Sequence, residues 1–255
     1  MTDIAQGIRD ALTSVARIRQ ETLADPALGA AVTAIKTLQA RRFAGSYADI
    51  LGGGDSGYQP AAEFFLTELY SAQDYTDRDA QFARIAGPID KLFPAKVGVL
   101  AMALAQLHAL TEELDQAMGR AWMHLATKPS PRSPATPADR YAAAWRQVGR
   151  RRDRQSQLDI VLGIGMELGK LTRTVGLRSL LRMMRRPAHA AGLAALQAFL
   201  ESGFDTFAAL AKTGGGVQGF LDLIAGREQA LITMLFDDDL VTCGTELQRT
   251  LGQAP

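Results

Sequence analysis

Residues 95–125 read AKVGVLAMALAQLHALTEELDQAMGRAWMHL, and the spacing within this stretch decides the fold class. Leu100, Leu104, Leu107, Leu114, Met118, Trp122 and Leu125 recur at intervals that place them on one side of an α-helix beginning after Pro94. The rest of the chain repeats the same period, and no segment alternates apolar and polar residues as a half-buried strand does. The expectation is an all-α, multi-helix bundle of about nine or ten helices with no sheet.

Upstream, Val32, Ile35, Phe43, Tyr47 and Ile50 form one long pattern after Pro26, closed by the Gly52-Gly53-Gly54 loop. Pro60 then stands in the first turn of a short helix carrying Phe65, Leu66, Leu69 and Tyr70, where its missing N–H costs nothing. Thr76, with Asp79 three residues on, reads as an N-cap with an acidic third position. The helix it opens carries a stripe of Phe82, Ile85, Ile89 and Leu92. Downstream, four of the ten prolines fall between Pro129 and Pro137 and prevent helix there. They divide the chain into an N-terminal half (1–127), a linker (128–137) and a C-terminal half (138–255), or interrupt one continuous domain.

In the C-terminal half, Thr136-Pro137-Ala138-Asp139 opens a helix with Tyr141, Trp145 and Val148 on its buried face. Gly165 and Gly169 share one face of the next and let a neighbouring helix approach. Pro187 starts another with Leu193, Leu196, Leu200, Phe204, Phe207 and Leu210, ended by Gly214-Gly215-Gly216. A stripe of Val217, Leu221, Ile224, Leu231 and Leu235 follows, then Asp237-Asp238-Asp239 and a last helix with Cys243 among its apolar residues.

The 255 residues carry 28 Lys and Arg against 27 Asp and Glu, a net charge of +1, with 47% hydrophobic and 22% charged residues, the balance of an ordinary globular protein. A single cysteine excludes a disulfide framework and any multi-cysteine metal site. No uncharged apolar run reaches the roughly 18–20 residues that span a bilayer, and MTDIAQGIRD is no signal peptide, so a cytoplasmic protein without a transmembrane segment is expected. There is no Gly-x-Ser-x-Gly elbow, and neither glycine run is followed by the Lys-Ser/Thr of a phosphate loop. No residue is therefore assigned a catalytic or metal-binding role.

His108, Glu112 and Asp115 lie at i, i+4 and i+7 beside the apolar stripe of the long helix, a flank expected to face solvent or the rim of the bundle. No Glu-x-x-His exists to build a di-iron carboxylate site. A single axial histidine would suffice for haem, and His108 or His189 is the candidate ligand for haem or another small molecule. Two charges sit on apolar stripes, Arg78 and Glu228. A charge facing a core persists only when it is paired, so Tyr70, Asp74, Arg78 and Asp79 are expected to form a structural clamp between two helices, with Glu228 a second buried charge.

The net charge conceals segregation: residues 1–145 sum to −2, residues 146–186 to +8 and residues 187–255 to −5. Two clusters carry the basic block, Arg150, Arg151, Arg152 and Arg154, then Arg178, Arg182, Arg185 and Arg186. Either the acidic C-terminal segment neutralises them or they present a surface for a protein partner, with nucleic acid or an anionic membrane a lesser alternative.

The segment Phe64-Phe65-Leu66-Thr67-Glu68-Leu69-Tyr70, followed by Asp74 and Arg78-Asp79, resembles the FFLxxLYxxxDxxxRD signature of an uncharacterised bacterial all-α family. Leu38 to Phe43, Tyr47-Ala48-Asp49, Phe199 to Phe204 and Phe220 to Ile224 extend the resemblance over most of residues 35–235. It implies no activity, but it implies that Tyr70, Asp74, Arg78 and Asp79 act as a connected unit. The favoured function is a non-catalytic module that binds another protein or itself. The alternatives are a helical haem or small-ligand pocket using His108 or His189, and nucleic-acid binding through the block from Arg146 to Arg186.

Overall fold

The computed structural model describes the chain except residues 1–2, 54–56, 70–74, 88–94, 127–135 and 255. Among the described residues there is no strand. The helices are α1 (Ile4–Ala24), α2 (Pro26–Ser46), α3 (Ala48–Leu51), α4 (Gln59–Glu68), α5 (Thr76–Ile85), α6 (Ala95–Ala126), α7 (Pro137–Val148), α8 (Arg151–Leu171), α9 (Leu177–Met183), α10 (Arg185–Ala190), α11 (Ala194–Leu210), α12 (Gly216–Asp237) and α13 (Leu240–Gly252). Twelve exceed a single turn, more than the nine or ten expected. One reason is a break inside the segment read as continuous from Pro187. There α10 ends at Ala190, Gly192 takes a left-handed φ of 66°, and α11 starts at Ala194.

The helix starts follow local chemistry. Asp3, Asp25 and Asp239 each accept backbone N–H groups at the first turns of α1, α2 and α13. Thr136 and Asp139 close a reciprocal capping box at α7. Thr76 does not cap α5: Tyr75 occupies that position, no side chain closes it, and the Asp79 carboxylate is turned elsewhere. The expected stripe of that helix stops at Ile85, since Ile89 and Leu92 lie outside the described residues, as do Gly54, Pro94 and most of the proline-rich segment.

The 32-residue helix α6 is the organising element, and α1, α2, α7 and α8 pack against it. By length and composition alone it is suited to cross a membrane; here Glu112, Asp115 and Gln116 on it are buried within the bundle. The main core cluster runs from Ile35 to Leu247 and draws on both sides of the proline-rich segment. A second cluster joins Ile8 and Leu12 of α1 to Ala101 and Ala105 of α6, and a third joins Leu171, Leu177, Leu181 and Phe204.

Close approaches fix how the helices cross. A Cβ at Gly165 would stand 2.7 Å from Leu221 Cδ2 and one at Gly169 would stand 2.9 Å from Val217 Cγ1, so α12 lies against a side-chain-free face of α8. Gly45 meets the backbone of Thr250 still more closely, and that contact sets the crossing of α2 and α13.

Candidate functional site

The three core clusters leave space between them. A cavity of about 230 Å³ is lined by residues of all three, and a smaller apolar one of about 70 Å³ shares Leu100, Leu104, Phe199 and Leu200 with it. The α6 residues on its wall run from Val97 to Asp115, about 27 Å of helix axis at ~1.5 Å per residue. A sphere of 230 Å³ would be only roughly 8 Å across, so the space is drawn out along α6.

Much of the lining is apolar, with Leu158 and Leu168 of α8, Leu181 of α9, Leu200 and Phe204 of α11 and Leu231 of α12, while α8 and α12 also contribute Arg154, Gln157 and Glu228. The rest includes a ladder of charge. At one end Arg42 Nη1 lies 2.5 Å from Glu228 Oε1, which also accepts from the Tyr47 hydroxyl at 3.2 Å. Next, Gln39 Nε2 donates to Asp115 Oδ1 at 2.9 Å. Lys36 Nζ then lies 2.7 Å from Glu112 Oε1. Asp79 receives Arg19 at 2.7 Å and His108 Nε2 at 2.8 Å, and Arg19 reaches on to Glu112 at 3.6 Å. At the far end Arg78 lies 3.0 Å from Glu68 and is sandwiched between the Tyr75 and Phe199 rings, 3.9 and 4.5 Å from their centroids.

Lys36, Gln39 and Arg42 come from one face of α2, and His108, Glu112 and Asp115 from one flank of α6, so each rung is a side chain of one helix answering a side chain of another. This corrects the expectation that the His108–Glu112–Asp115 flank is solvated: Glu112 is 6% exposed and Asp115 2%. The two acids respond differently. Burial works against ionising Glu112, yet Lys36, His108 and Arg19 outweigh it and hold its carboxyl below the ordinary value. Burial likewise opposes ionisation of Asp79, and the hydrogen bond and charge of His108, with Arg19 and Arg78, lower its carboxyl. For Asp115 burial prevails over the attraction of Lys36 and Arg154 and the bond from Gln39, and its carboxyl is raised.

The expected clamp resolves into separate contacts. Arg78 ties α5 to α4, but through Glu68; its neighbour Asp79 pairs with α1 and α6, and Glu228 pairs with Arg42 at the other end of the ladder. Tyr70 and Asp74 lie outside the described residues. His108 lines the cavity with Nε2 committed to Asp79, and His189 is exposed on α10, cut off from the α11 stripe by Gly192. Among the described residues no group of three or more His, Cys, Asp or Glu is arranged to hold a metal.

Within the basic block, Arg154 is not a surface residue. It is 6% exposed, lies over the Trp145 ring at 4.1 Å and lines the cavity, with Nη1 donating to Gln157 at 3.3 Å. Arg150 pairs with Glu113 and Asp153, Arg151 with Asp237, Arg178 with Asp205 and Arg185 with Glu201; three of these acids belong to the C-terminal segment. Arg152, Arg182 and Arg186 are exposed. Cys243 is buried, with its thiol donating to the Met234 carbonyl.

Helix α5 differs from the others of its length. None of its residues is buried, yet Arg78, Asp79, Phe82 and Ile85 all line the cavity. Polar ties hold it: Arg78 to Glu68, Asp79 to Arg19 and His108, Gln81 accepting from Leu196 N at 2.9 Å, and Arg84 donating to the Gly192 carbonyl at 2.5 Å. It lies over the cavity, held by these polar ties together with Phe82, which packs against the Ile8–Leu12 cluster.

Sequence reasoning missed Lys36, Gln39 and Arg42 and misplaced Glu112 and Asp115. The signal available was complementarity: two helices each carry a polar strip beside an apolar one, basic on α2 and acidic on α6. No curated protein and no solved structure matches this chain. One family model does, over residues 18–241, which include the ladder from Arg19 to Glu228 and the quoted phenylalanine-rich segments. The chain belongs to that family, described as Domain of unknown function (DUF8198).

Proposed function

We propose that this domain is a non-catalytic small-ligand-binding module that takes a largely apolar molecule into the cavity along α6. The observation that carries this reading is the cavity itself: a space of about 230 Å³ drawn out along α6 and lined by many apolar side chains together with a few ordered charged ones. Pockets of this kind orient an apolar ligand through a few placed polar groups. Most of the charged groups on the wall are paired with one another, which suits orienting a ligand. The protein-interaction reading retains one observation of its own, the exposed Val175 just before α9 and the exposed Arg182 and Met183 at its end.

The neutral fluorophore N-phenyl-1-naphthylamine tests the ligand reading. It should bind saturably at one site per chain. Leu104→Trp, which sets an indole into the cavity, should abolish that binding while the helical circular-dichroism spectrum is retained. Absence of saturable binding to the wild-type protein would overturn the proposal.

A further inference from the structure

The head group of the ligand can be read from the one acid on the polar wall that lacks a basic partner. Glu68, Asp79, Glu112 and Glu228 each have a basic group within 4 Å: Arg78, Arg19, Lys36 and Arg42. Asp115, 2% exposed and on the cavity wall, has none among the described residues. Its Oδ1 accepts from Gln39, and among the described residues no hydrogen bond reaches its second oxygen. A carboxyl this little exposed, on the wall of a cavity and with one oxygen uncommitted, is placed to take a polar group of a ligand.

Charge narrows what that is. Lys36 and Arg154 stand near enough to Asp115 to act on it electrostatically, and so does Glu112. An ammonium head would meet the two cations, and a carboxylate head would meet the two acids. An uncharged group that both donates and accepts meets neither penalty, and it serves Asp115 whether or not the acid carries its proton. Burial favours the protonated form, which needs an acceptor. Shape narrows the body. The two cavities, of about 230 and 70 Å³, share Leu100, Leu104, Phe199 and Leu200 on their walls. They are drawn out along α6, which suits a single extended chain.

Resting on the small-ligand reading above, we infer that the site takes an unbranched aliphatic molecule ending in an uncharged hydroxyl, the hydroxyl seated against Asp115 and the chain running along α6 toward Leu100. The test is competition against bound N-phenyl-1-naphthylamine at pH 7.5 by three probes with one chain, 1-decanol, decanoate and decylammonium. Decanol should displace the fluorophore with an affinity at least tenfold above either ion. Asp115→Leu should weaken decanol at least tenfold more than it weakens the fluorophore, each affinity being measured on the variant itself. Asp115→Asn, which keeps a donor and an acceptor, should hold decanol within about threefold. An ion that competes as well as decanol, or an Asp115→Leu protein that binds decanol undiminished, would overturn the head-group assignment while the cavity reading stands. Failure of the fluorophore to bind the wild-type protein would overturn both.

Discussion

Replacing Asp79 by Asn keeps the shape of the side chain and removes the charge that draws Arg19 and His108 onto α5. The two contacts, at 2.7 and 2.8 Å, belong to side chains between 12 and 21% exposed, so solvent screens them little. Hydrogen bonds to charged groups contribute about 1.5–3 kcal/mol each. Loss of one such bond's worth lowers the free energy of opening α5 by that amount, a roughly 10- to 150-fold faster amide exchange at ~1.4 kcal/mol per tenfold. The loss stays local because α5 buries no residue within its own span, and its apolar anchor, Phe82 against the Ile8–Leu12 cluster, is shared with α1 and α6 and is left in place. Residue-resolved hydrogen exchange should therefore show faster exchange at Phe82 to Ala86 and unchanged protection in α2 and α6. The sign with pH follows from the lowered Asp79 carboxyl: its contribution is present above the ordinary value of 3.8 and is lost as pH falls through the folded-state value. The difference between the two proteins should close on acidification. Equal loss of protection across α2, α5 and α6, or none in α5, would refute the idea that this helix is a polar-latched cover.

Asp115 has the opposite sign. Its carboxyl is raised, so its contribution is fully present below 3.8 and is lost as pH rises through the folded-state value. Asp115→Asn should stabilise the protein at pH 8 by about 1–3 kcal/mol, the cost of a poorly satisfied buried polar group, and by much less at pH 4, as read from denaturant midpoints. A variant less stable than wild type at both pH values would contradict the assignment. At the α2–α13 crossing, a Cβ on Gly45 would stand 1.9 Å from the Thr250 carbonyl oxygen, a backbone atom that no side-chain rotation can move. Gly45→Ala should therefore lose about 1–3 kcal/mol despite the ~1 kcal/mol that alanine gains in a helix. Gly163→Ala, with nothing within 4 Å of its new methyl, should show the helix gain alone in the same denaturation series.

The fold class was legible because helical period and capping chemistry are local. Thr136 and Asp139 form the capping box that their spacing announces, and Gly165 and Gly169 are the flat face of α8 that their register implies. The break at Gly192 was less legible, because Ala188 to Ala194 keeps an apolar character through the turn. The site was legible only as residues. His108, Glu112 and Asp115 stood out by spacing, but spacing on one helix cannot say whether the flank meets water or another helix. That depends on α2, some 75 residues away in sequence, bringing Lys36 and Gln39 to the same depth. Arg154 misled for a related reason: it lies in a run of arginines, and only the turn at Gly149 between α7 and α8 brings it over the Trp145 ring.

The near balance of the whole chain has a counterpart inside it. Buried ion pairs usually stabilise a fold no better than well-packed apolar groups of the same volume, so a ladder of them along one cavity wall is poorly explained by stability alone. Its placement is more informative than its energy. The rungs do not scatter through the core; they follow α6 along the cavity, and one of them, Asp79 with Arg19 and His108, also fastens the helix that covers it. Arg19 reaches Glu112 as well, and Glu112 shares Lys36 with the region around Asp115, so cover and cavity floor are joined through contiguous charged contacts. Substituting apolar residues along that wall would leave a bundle with a comparable core. It would also remove the groups that orient a ligand in the cavity and those that hold α5 over it.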